Sequence, residues 1–263
     1  MNSAGEDVYL SVLVPSLFTP WAELLVDALD PAPGSTAVDV ATGPGTVARV
    51  IARRVGAIGH VYGCDLSAEM LAAGAAVPAE SGAGAIEYLA CPADELPLHD
   101  ASVDAVSCQQ GLQFFPDPMA ALVEMRRVAR PGARLAVSVW RAIDRMPVYE
   151  ALVDAAEEVL GNAGGLRETP FALGDPHRLA GLAEAAGWAH VAVSPRDLPV
   201  EFPSADAVLR CYAVTPVADA VRGLPPEGRL ALEQAVRRRL ARLIDPDGAV
   251  RTTTGAHFLT ALA

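Results

Sequence analysis

The sequence predicts an α/β fold built on a doubly wound, parallel β-sheet. Short apolar runs of strand length alternate with amphipathic stretches of helix length between residues 36 and 140. The loops that separate them are short, which is typical of strand–helix–strand units. The chain has 263 residues, of which 52% are hydrophobic, so it can enclose the core of one large α/β domain.

The elements follow in a regular order. A helix is predicted to begin at Thr19-Pro20, with Thr as cap and Pro as first residue, and to end at Asp30-Pro31. Apolar runs predict strands over 36–40, 61–64, 86–90, 103–108 and 134–140. Apolar residues at helical spacing predict the intervening helices over 46–55, 68–76 and 117–129. Asp117-Pro118 is the predicted N-terminal cap of the third of these helices.

The alternation changes after residue 140. Helical insertions are predicted over about 144–172 and 203–248, and a helix that begins at Asp175-Pro176 lies between them. Residues 188–194 and 256–262 have strand character. We expect a single domain over 1–263, with its core at about 30–142 and the two insertions as a helical lid.

Composition narrows the classes of partner. The formal net charge is −12, which argues against nucleic acid because phosphate binding needs a basic surface. We see no apolar run of the ~18 residues that a membrane span needs, and no basic signal sequence. All 20 basic residues are Arg, a bias typical of GC-rich bacterial genomes. The four cysteines form no CxxC pair, which predicts reduced, mostly buried thiols in a cytoplasmic protein.

A glycine-rich stretch, VDVATGPGTVARV, joins the first predicted strand to its helix. Gly43 and Gly45 followed by Ala48 fit the G-x-G-x-x-[GA] pattern of dinucleotide sites, and Asp65 lies twenty residues further on. However, Asp39 precedes the glycines, and a carboxylate there would repel a pyrophosphate. An acid at this position suits a cationic ligand.

S-adenosylmethionine meets these conditions, because it has an ammonium, a sulfonium and no phosphate. Asp65 ends the second strand, where a carboxylate can accept hydrogen bonds from both ribose hydroxyls. Two alternatives stay open. Asp39 can be a turn acid and Asp65 a helix cap before Ser67, and a nicotinamide oxidoreductase would also show this glycine pattern.

Four segments appear in the order that class I S-adenosylmethionine-dependent methyltransferases use. They are VDVATGPGTVA, GHVYGCDLSAEML, ADELPLHDASVDAV and QQGLQFFPDPMAALVEMRRVARPGARLAVSVW. The chain resembles the ubiquinone/menaquinone-type, small-molecule branch of that family over about residues 35–140. The resemblance implies a mostly parallel, seven-stranded Rossmann-like sheet whose last strand, 256–262, is antiparallel. Ala41 and Ala133 stand where the family usually has glycine.

The resemblance also implies a set of cofactor contacts. We expect the methionine portion along Asp39, Ala41, Gly43 and Gly45, flanked by Gln109 and Gln110. The ribose would bind Asp65, and the adenine would lie against Leu66 and Ala93, with Asp94 accepting from its amino group. Asp94 can alternatively be a helix-cap acid, and the two glutamines solvated loop residues.

The acceptor pocket is expected outside these motifs. Its candidate residues are Tyr9, Phe18, Trp21, Gln113, Phe114 and Phe115. Aromatic residues at such positions also serve as ordinary core filling. A mostly apolar lid predicts a hydrophobic small molecule, such as a phenolic, quinone-like or polyketide metabolite of bacterial secondary metabolism.

The expected reaction is an in-line transfer of methyl to an oxygen or carbon atom, achieved mainly by positioning. The catalytic residue is unknown, with His177 as a candidate base, and no metal site is predicted. Without an evident base, a methyltransferase-fold protein acting as a cyclase or as a non-methylating binding protein is the alternative. The oligomeric state, a homodimer included, is left open.

Overall fold

The computed structural model describes residues 3–263. It contains ten α-helices and seven strands within that range. The strands are β1 Thr36–Val40, β2 His60–Asp65, β3 Ala85–Ala90, β4 Val103–Gln109, β5 Ala129–Trp140, β6 Ala189–Phe202 and β7 Val250–Leu262. The helices are α1 Ser3–Val8, α2 Thr19–Leu29, α3 Thr46–Val55, α4 Ala68–Ala75, α5 Pro118–Val128, α6 Pro147–Leu160, α7 Pro176–Ala185, α8 Ala205–Arg210, α9 Ala218–Arg222 and α10 Pro226–Leu240.

The seven strands form one sheet in the order β3-β2-β1-β4-β5-β7-β6. Strands β1 to β5 pair with one another in parallel, and β7 runs antiparallel to β5. The predicted fold class is therefore confirmed, including the antiparallel last strand. The chain order reverses between β1 and β4, and the carboxyl ends of these two central strands form the topological switch point.

Two compact units are present. The core unit comprises Trp21–Trp140, Leu173–Arg196 and Ala256–Ala263, and the insertion unit comprises the described residues up to Pro20, Arg141–Ala172 and Asp197–Gly255. Both predicted helical insertions fall almost wholly within the insertion unit. The single-domain arrangement with a helical lid stays a prediction.

Apolar packing fixes the core unit. Leu122 and Met125 of α5 are fully buried, together with Val106 of β4 and Leu135 of β5. The indole nitrogen of Trp188 donates to the Leu122 carbonyl oxygen at 3.0 Å, so this ring buries its apolar surface without leaving its polar atom unpaired.

The insertion unit is held by one helix pair and its ion pairs. Helices α6 and α10 pack together, and the Tyr212 hydroxyl donates to the Leu152 carbonyl oxygen at 2.5 Å. Arg238 and Arg239 pair with Glu158 at 2.7 and 2.8 Å. The arginine run at 237–239 thus serves ion pairing along this helix.

The N-terminal helix differs from the prediction. The chain is helical from Ser3, and a π-helical segment over Tyr9–Phe18 precedes α2, so Thr19 has helical backbone angles and is not a cap. The helical stretch Gly5–Leu29 is long and apolar enough to cross a membrane, although 44% of its most apolar window is buried. The expectation that no stretch reaches this length was therefore wrong. A buried core helix passes the same test.

Three strands are longer than predicted. Strand β6 continues through Pro195 and Pro199, which is possible because β6 lies at the sheet edge, where a missing N–H costs no ladder bond. Strand β7 begins at Val250, since the β-branched Thr252–Thr254 extends it. Strand β5 already begins at Ala129, which pairs with Val103 before an irregularity in the register.

Candidate cofactor site

The loop after β1 has a left-handed backbone at three of its five residues. Ala41, Gly43 and Gly45 have φ values of +57°, +54° and +77°. Glycine adopts this region freely, but for Ala41 the methyl group adds a cost of about 1–2 kcal/mol. Gln110, which follows β4, is also left-handed at φ +54°. Two non-glycine residues in a strained conformation therefore lie at the switch point, as is common at functional sites.

Tyr88 explains why the last glycine of the loop has no side chain. A Cβ atom on Gly45 would lie 2.2 Å from the Tyr88 hydroxyl oxygen. Gly63 and Gly74 also approach this ring, at 3.1 and 2.9 Å from where their Cβ atoms would be. Burial raises the pKa of Tyr88, partly offset by Arg49. Tyr88 was missed in the sequence, because only the folded chain brings strand β3 against the loop.

Asp39 is enclosed by the protein and is 1% exposed. Its two carboxylate oxygens accept from the Thr42 hydroxyl at 2.6 Å and from the Ser107 hydroxyl at 2.7 Å. Burial raises its pKa to about 6, against the lowering effect of these bonds, and the Asp65 charge adds to the rise. Asp39 thus ties the loop to β4 and does not line the cavity described below.

Asp65 bridges the loop and the second strand–helix unit. One of its oxygens accepts from the Gly43 backbone N–H at 2.8 Å, and the other accepts from the Ser67 N–H at 2.9 Å. Ser67 caps α4 by accepting from the Met70 N–H. Asp65 is therefore not the cap of α4, but it holds the backbone N–H of the capping residue Ser67. Its carboxylate also lines the cavity, where further lone pairs can accept hydrogen bonds.

One cavity of about 170 Å³ lies at this edge of the sheet, wholly within the core unit. Its lining residues are Val40, Ala41, Cys64, Asp65, Leu66, Cys91, Pro92, Ala93, Asp94, Phe115, Pro116, Asp117 and Ala121. Three of them are acids and none is basic. Leu66 is 74% exposed, which is unusual for a leucine beside a concave surface and leaves apolar area for a ligand.

The sequence-predicted residues divide into two groups at this cavity. Ala41, Asp65, Leu66, Ala93, Asp94 and Phe115 line it. Asp39, Gly43, Gly45, Gln109 and Gln110 do not, although all belong to β1, β4 or the loops that directly follow these strands. Sequence reasoning missed Cys64 and Cys91. The one signal for these thiols was their place at the ends of predicted strands.

Two residues of α5, Glu124 and Arg127, bind the backbone of the segment that carries Asp94. Glu124 accepts from the Leu96 N–H at 2.7 Å, and Arg127 donates to the carbonyl oxygens of Leu96 and Leu98 at 3.0 and 2.9 Å. Arg127 in turn lowers the pKa of Glu124. Asp94 itself is exposed and has no hydrogen-bond partner among the described residues, so its carboxylate is available to a ligand.

Two buried amides follow β4. Gln110 and Gln113 are each 5% exposed, and they share one long hydrogen bond of 3.4 Å between Gln113 Nε2 and Gln110 Oε1. Gln110 Nε2 and Gln113 Oε1 have no partner within the described chain. Buried polar atoms are normally paired, so these two mark a place for a polar ligand group. Phe114 beside them is 52% exposed.

The remaining predicted residues lie elsewhere. Trp21 is fully buried against Trp140 and Phe258, with ring centroids 6.0 and 5.6 Å apart, so it fills the core. Tyr9 and Phe18 stack on each other at 5.2 Å within the insertion unit. His177 is exposed in the first turn of α7 and does not line the cavity.

A left-handed loop after β1, a carboxylate ending β2 and an acidic cavity at the switch point are features of a doubly wound α/β protein whose cavity disfavours a phosphate group. The chain belongs to the ubiE/COQ5 methyltransferase family, whose sequence model matches residues 5–167. It is thus an S-adenosylmethionine-dependent methyltransferase, as its four sequence motifs indicated.

Individual relatives agree with this family. The chain is 32% identical to the nocamycin O-methyltransferase of Saccharothrix syringae over 73% of this chain and 72% of that one. It is 32% identical to a demethylmenaquinone methyltransferase of Paenarthrobacter aurescens, over 70% of this chain and 74% of that one. The match spans 81% of a demethylmenaquinone methyltransferase of Corynebacterium kroppenstedtii, but only 54–58% of several other quinone methyltransferases.

The fold also has solved counterparts. A Bacillus halodurans protein assigned as a methyltransferase superposes with a TM-score of 0.59 at 18% identity. The superposition covers 92% of this chain and 97% of the other. At this identity the likeness concerns the fold.

Proposed function

We propose that this protein transfers a methyl group from S-adenosylmethionine to an oxygen or carbon atom of a hydrophobic small molecule. Phenolic, quinone-like and polyketide metabolites are the acceptor classes. The observation that carries the cofactor assignment is the cavity lining, which has three carboxylates and no basic side chain. A pyrophosphate would be repelled there, whereas a ligand with ammonium and sulfonium charges is attracted.

The cavity residues fit an adenosine group. Leu66 and Ala93 offer apolar surface to the adenine, and the unpaired Asp94 carboxylate can accept from its amino group. Asp65 accepts from the ribose hydroxyls while it continues to hold the Gly43 N–H. The strained loop and the residues after β4 would hold the methionine end, with Asp39, Ala41, Gly43, Gly45, Gln109 and Gln110 as its neighbours.

Bound there, S-adenosylmethionine supplies an electrophilic methyl group on a sulfonium that leaves as a neutral thioether. The protein's task is to align an acceptor atom with that methyl group and to exclude water. Gln110 and Gln113 supply the polar atoms for orienting an acceptor, since Gln110 Nε2 can donate and Gln113 Oε1 can accept. Phe114 and Phe115 offer aromatic surface next to them.

Among the described residues, no candidate general base lies at the cofactor cavity. His177 is exposed, and the cavity wall contains no histidine. An acceptor whose attacking atom is already anionic, or easily ionised, suits such a site. The net charge of −12 supports a small-molecule acceptor over nucleic acid. We further infer that the protein acts in the cytoplasm, where its four free thiols would stay reduced.

The test is methyl transfer from S-adenosylmethionine labelled in its methyl group. Demethylated quinones, simple phenols and hydroxylated polyketides are offered separately, and label is counted in each product. Label in at least one class is expected, at a rate that EDTA does not change. Cofactor binding with every class left unlabelled would contradict the proposed transfer and favour the cyclase or binding-protein alternative.

A further inference from the structure

Two thiols share the wall of the cofactor cavity. Cys64 ends the buried part of β2, and Cys91 directly follows β3. Both line the cavity, and each thiol shifts the pKa of the other. The Cys91 thiol donates to the Leu89 carbonyl oxygen at 3.8 Å. The two cysteines are therefore neighbours at the edge of the cavity.

Strand register explains why Cys64 and Cys91 are neighbours. Leu89 of β3 is the register partner of Cys64, and Cys91 lies two residues beyond it, on the same face of the sheet. The Cys91 N–H donates to the Asp65 carbonyl oxygen at 3.1 Å, which continues the ladder past the end of β3. The backbone thus fixes both cysteines in place.

The two thiols differ in reactivity. Cys64 is 1% exposed, and burial together with its contact to Cys91 raises its pKa. Cys91 is only half-buried, and its interaction with the neighbouring Cys64 thiol lowers its pKa, against the opposing effects of burial and of the Asp65 and Glu124 carboxylates. Since the thiolate is the reactive form, Cys91 is the nucleophile of the pair.

We propose that Cys64 and Cys91 form a reversible disulfide when a peroxide reaches the cavity, and that this disulfide weakens cofactor binding. The second part rests on the proposed cofactor site. Intracellular disulfides of this kind are typically transient and redox-sensing, and an accessible thiolate beside a second thiol is their usual arrangement.

The chemistry balances with hydrogen peroxide as the oxidant. The Cys91 thiolate attacks one peroxide oxygen, the O–O bond breaks, and hydroxide leaves, so Cys91 becomes a sulfenic acid. The Cys64 sulfur then attacks the Cys91 sulfur and gives up its proton to the departing hydroxide as water. The chain loses two hydrogen atoms, and peroxide is reduced to two waters. A thiol reductant reverses the change.

The bond would change the shape of the cavity. Cys64 precedes Asp65, and Cys91 precedes Pro92 and Ala93, so both sulfurs lie among the residues assigned to ribose and adenine. A disulfide holds the two sulfur atoms at about 2.05 Å and needs their Cα atoms within about 7 Å, so it would move the Cys91 segment toward β2. Conversely, a bound cofactor covers Cys91 and should slow its oxidation.

Peptide mapping of the full chain tests the bond directly. The protein is treated with hydrogen peroxide, free thiols are alkylated, and the chain is cleaved after glutamate under non-reducing conditions. Trypsin is unsuitable because no Arg lies between residues 55 and 125, whereas cleavage at Glu69, Glu87 and Glu95 separates the cysteines. We expect peptides 24–69 and 88–95 joined and lighter by two hydrogen atoms. Cys91 oxidised without a cross-link, or a cross-link to Cys108 or Cys211, would overturn the proposal.

Variants and ligand binding complete the test. Cys91→Ser and Cys64→Ala should give no cross-link, whereas Cys211→Ser, which alters a buried thiol of the insertion unit, should still give it. Calorimetry with S-adenosylhomocysteine should show at least a ~10-fold weaker affinity after oxidation, restored by dithiothreitol. An unchanged affinity in the cross-linked protein would overturn the inhibitory role. If the reduced protein does not bind this ligand at all, the proposed cofactor site fails instead, and the mapping result still stands.

Discussion

The backbone N–H of Gly43 donates to the Asp65 carboxylate at 2.8 Å. Gly43 belongs to the loop after β1, and Asp65 ends β2, so this bond joins two neighbouring strand ends where the ribose is proposed to bind. Asp65 holds the loop in its left-handed course, and we propose that its remaining lone pairs bind the ribose hydroxyls.

Asp65→Ala should weaken both cofactor binding and folding. Hydrogen bonds to charged groups are worth about 1.5–3 kcal/mol, so the affinity for S-adenosylhomocysteine should fall roughly 10- to 150-fold. The free energy of unfolding should also fall, because the N–H groups of Gly43 and Ser67 lose their acceptor. Calorimetry and urea unfolding measure the two effects.

Asp94→Ala is the matched control for that variant. The Asp94 carboxylate is exposed and has no partner within the described chain, so only ligand binding should suffer. Equal losses of stability in the two variants would show that the bridging role of Asp65 is wrong.

Asp39 should make stability depend on pH. Its pKa is raised from 3.8 to about 6 in the folded protein, so the folded state holds this proton more tightly than the unfolded state. Stability relative to Asp39→Asn should thus decrease by roughly 2.4 kcal/mol as pH rises from 4 to 7, and should then level off. Urea unfolding of both proteins across this range measures the difference. A difference that grows with pH would mean that the Asp39 pKa is depressed.

Gly45→Ala should be more costly than Gly161→Ala. Both glycines are in the left-handed helical region, at φ +77° and +78°, so each alanine costs about 1–2 kcal/mol of strain. A Cβ on Gly45 also meets the Tyr88 hydroxyl, whereas a Cβ on Gly161 has open space, and overpacking adds about 1–3 kcal/mol.

Tyr88→Ala provides the second side of a double-mutant cycle for this contact. It should remove the overpacking part of the Gly45→Ala cost and leave the strain. Urea unfolding of the four proteins gives the coupling energy. Additive losses would show that Tyr88 does not define the loop.

Gln113→Leu should affect the KM for the acceptor with little change in the stability of the free protein. The replacement removes the buried, unpaired Gln113 Oε1 atom, which costs the protein about 1–3 kcal/mol, but it also takes away the long 3.4 Å bond to Gln110 Oε1. Because the two effects oppose each other, the stability of the free protein should change little. The acceptor KM should rise, because the proposed hydrogen bond is lost. Gln234→Leu on the exposed face of α10 should change neither quantity. An unchanged KM in Gln113→Leu would remove Gln113 from the acceptor site.

His177→Ala should lower turnover by less than about tenfold, since a general base usually contributes ~10²–10⁴-fold. His177 is exposed and lies outside the cavity wall. Phe115→Ala, in contrast, removes apolar surface from the cavity wall and should raise the KM for the acceptor. Steady-state kinetics with an identified acceptor measures both. Loss of turnover in His177→Ala with both ligands still bound would show that a base is required.

The sequence was informative wherever the pattern is local. The glycine loop, the carboxylate at the end of β2 and the alternation of strands and helices up to residue 140 all follow from short motifs or local patterns. Ser107 as the partner of Asp39 could not be predicted, since 68 residues separate them and only the β1–β4 pairing brings them together. The same holds for Tyr88 beneath the loop. Trp21 was predicted in the acceptor pocket but lies in the core. An aromatic residue at the start of a helix does not by itself distinguish a pocket wall from a core position.

The N-terminal helix shows why boundaries were harder to predict. Pro20 is a typical first residue of a helix, yet a π-helical segment over Tyr9–Phe18 precedes it, and the helical backbone continues from that segment into α2 without a break. Tertiary packing of Val12 and Leu17, both buried, stabilises a backbone that the local sequence does not favour.

Calorimetric titration of the reduced protein with S-adenosylhomocysteine and, separately, with NADH tests the central claim most directly. Three acids and no basic side chain line the cavity, so it should bind the adenosine and amino acid groups of the first ligand with a micromolar dissociation constant. The pyrophosphate of NADH should be repelled and give no measurable heat of binding. Tight binding of NADH, with no binding of S-adenosylhomocysteine, would contradict the account.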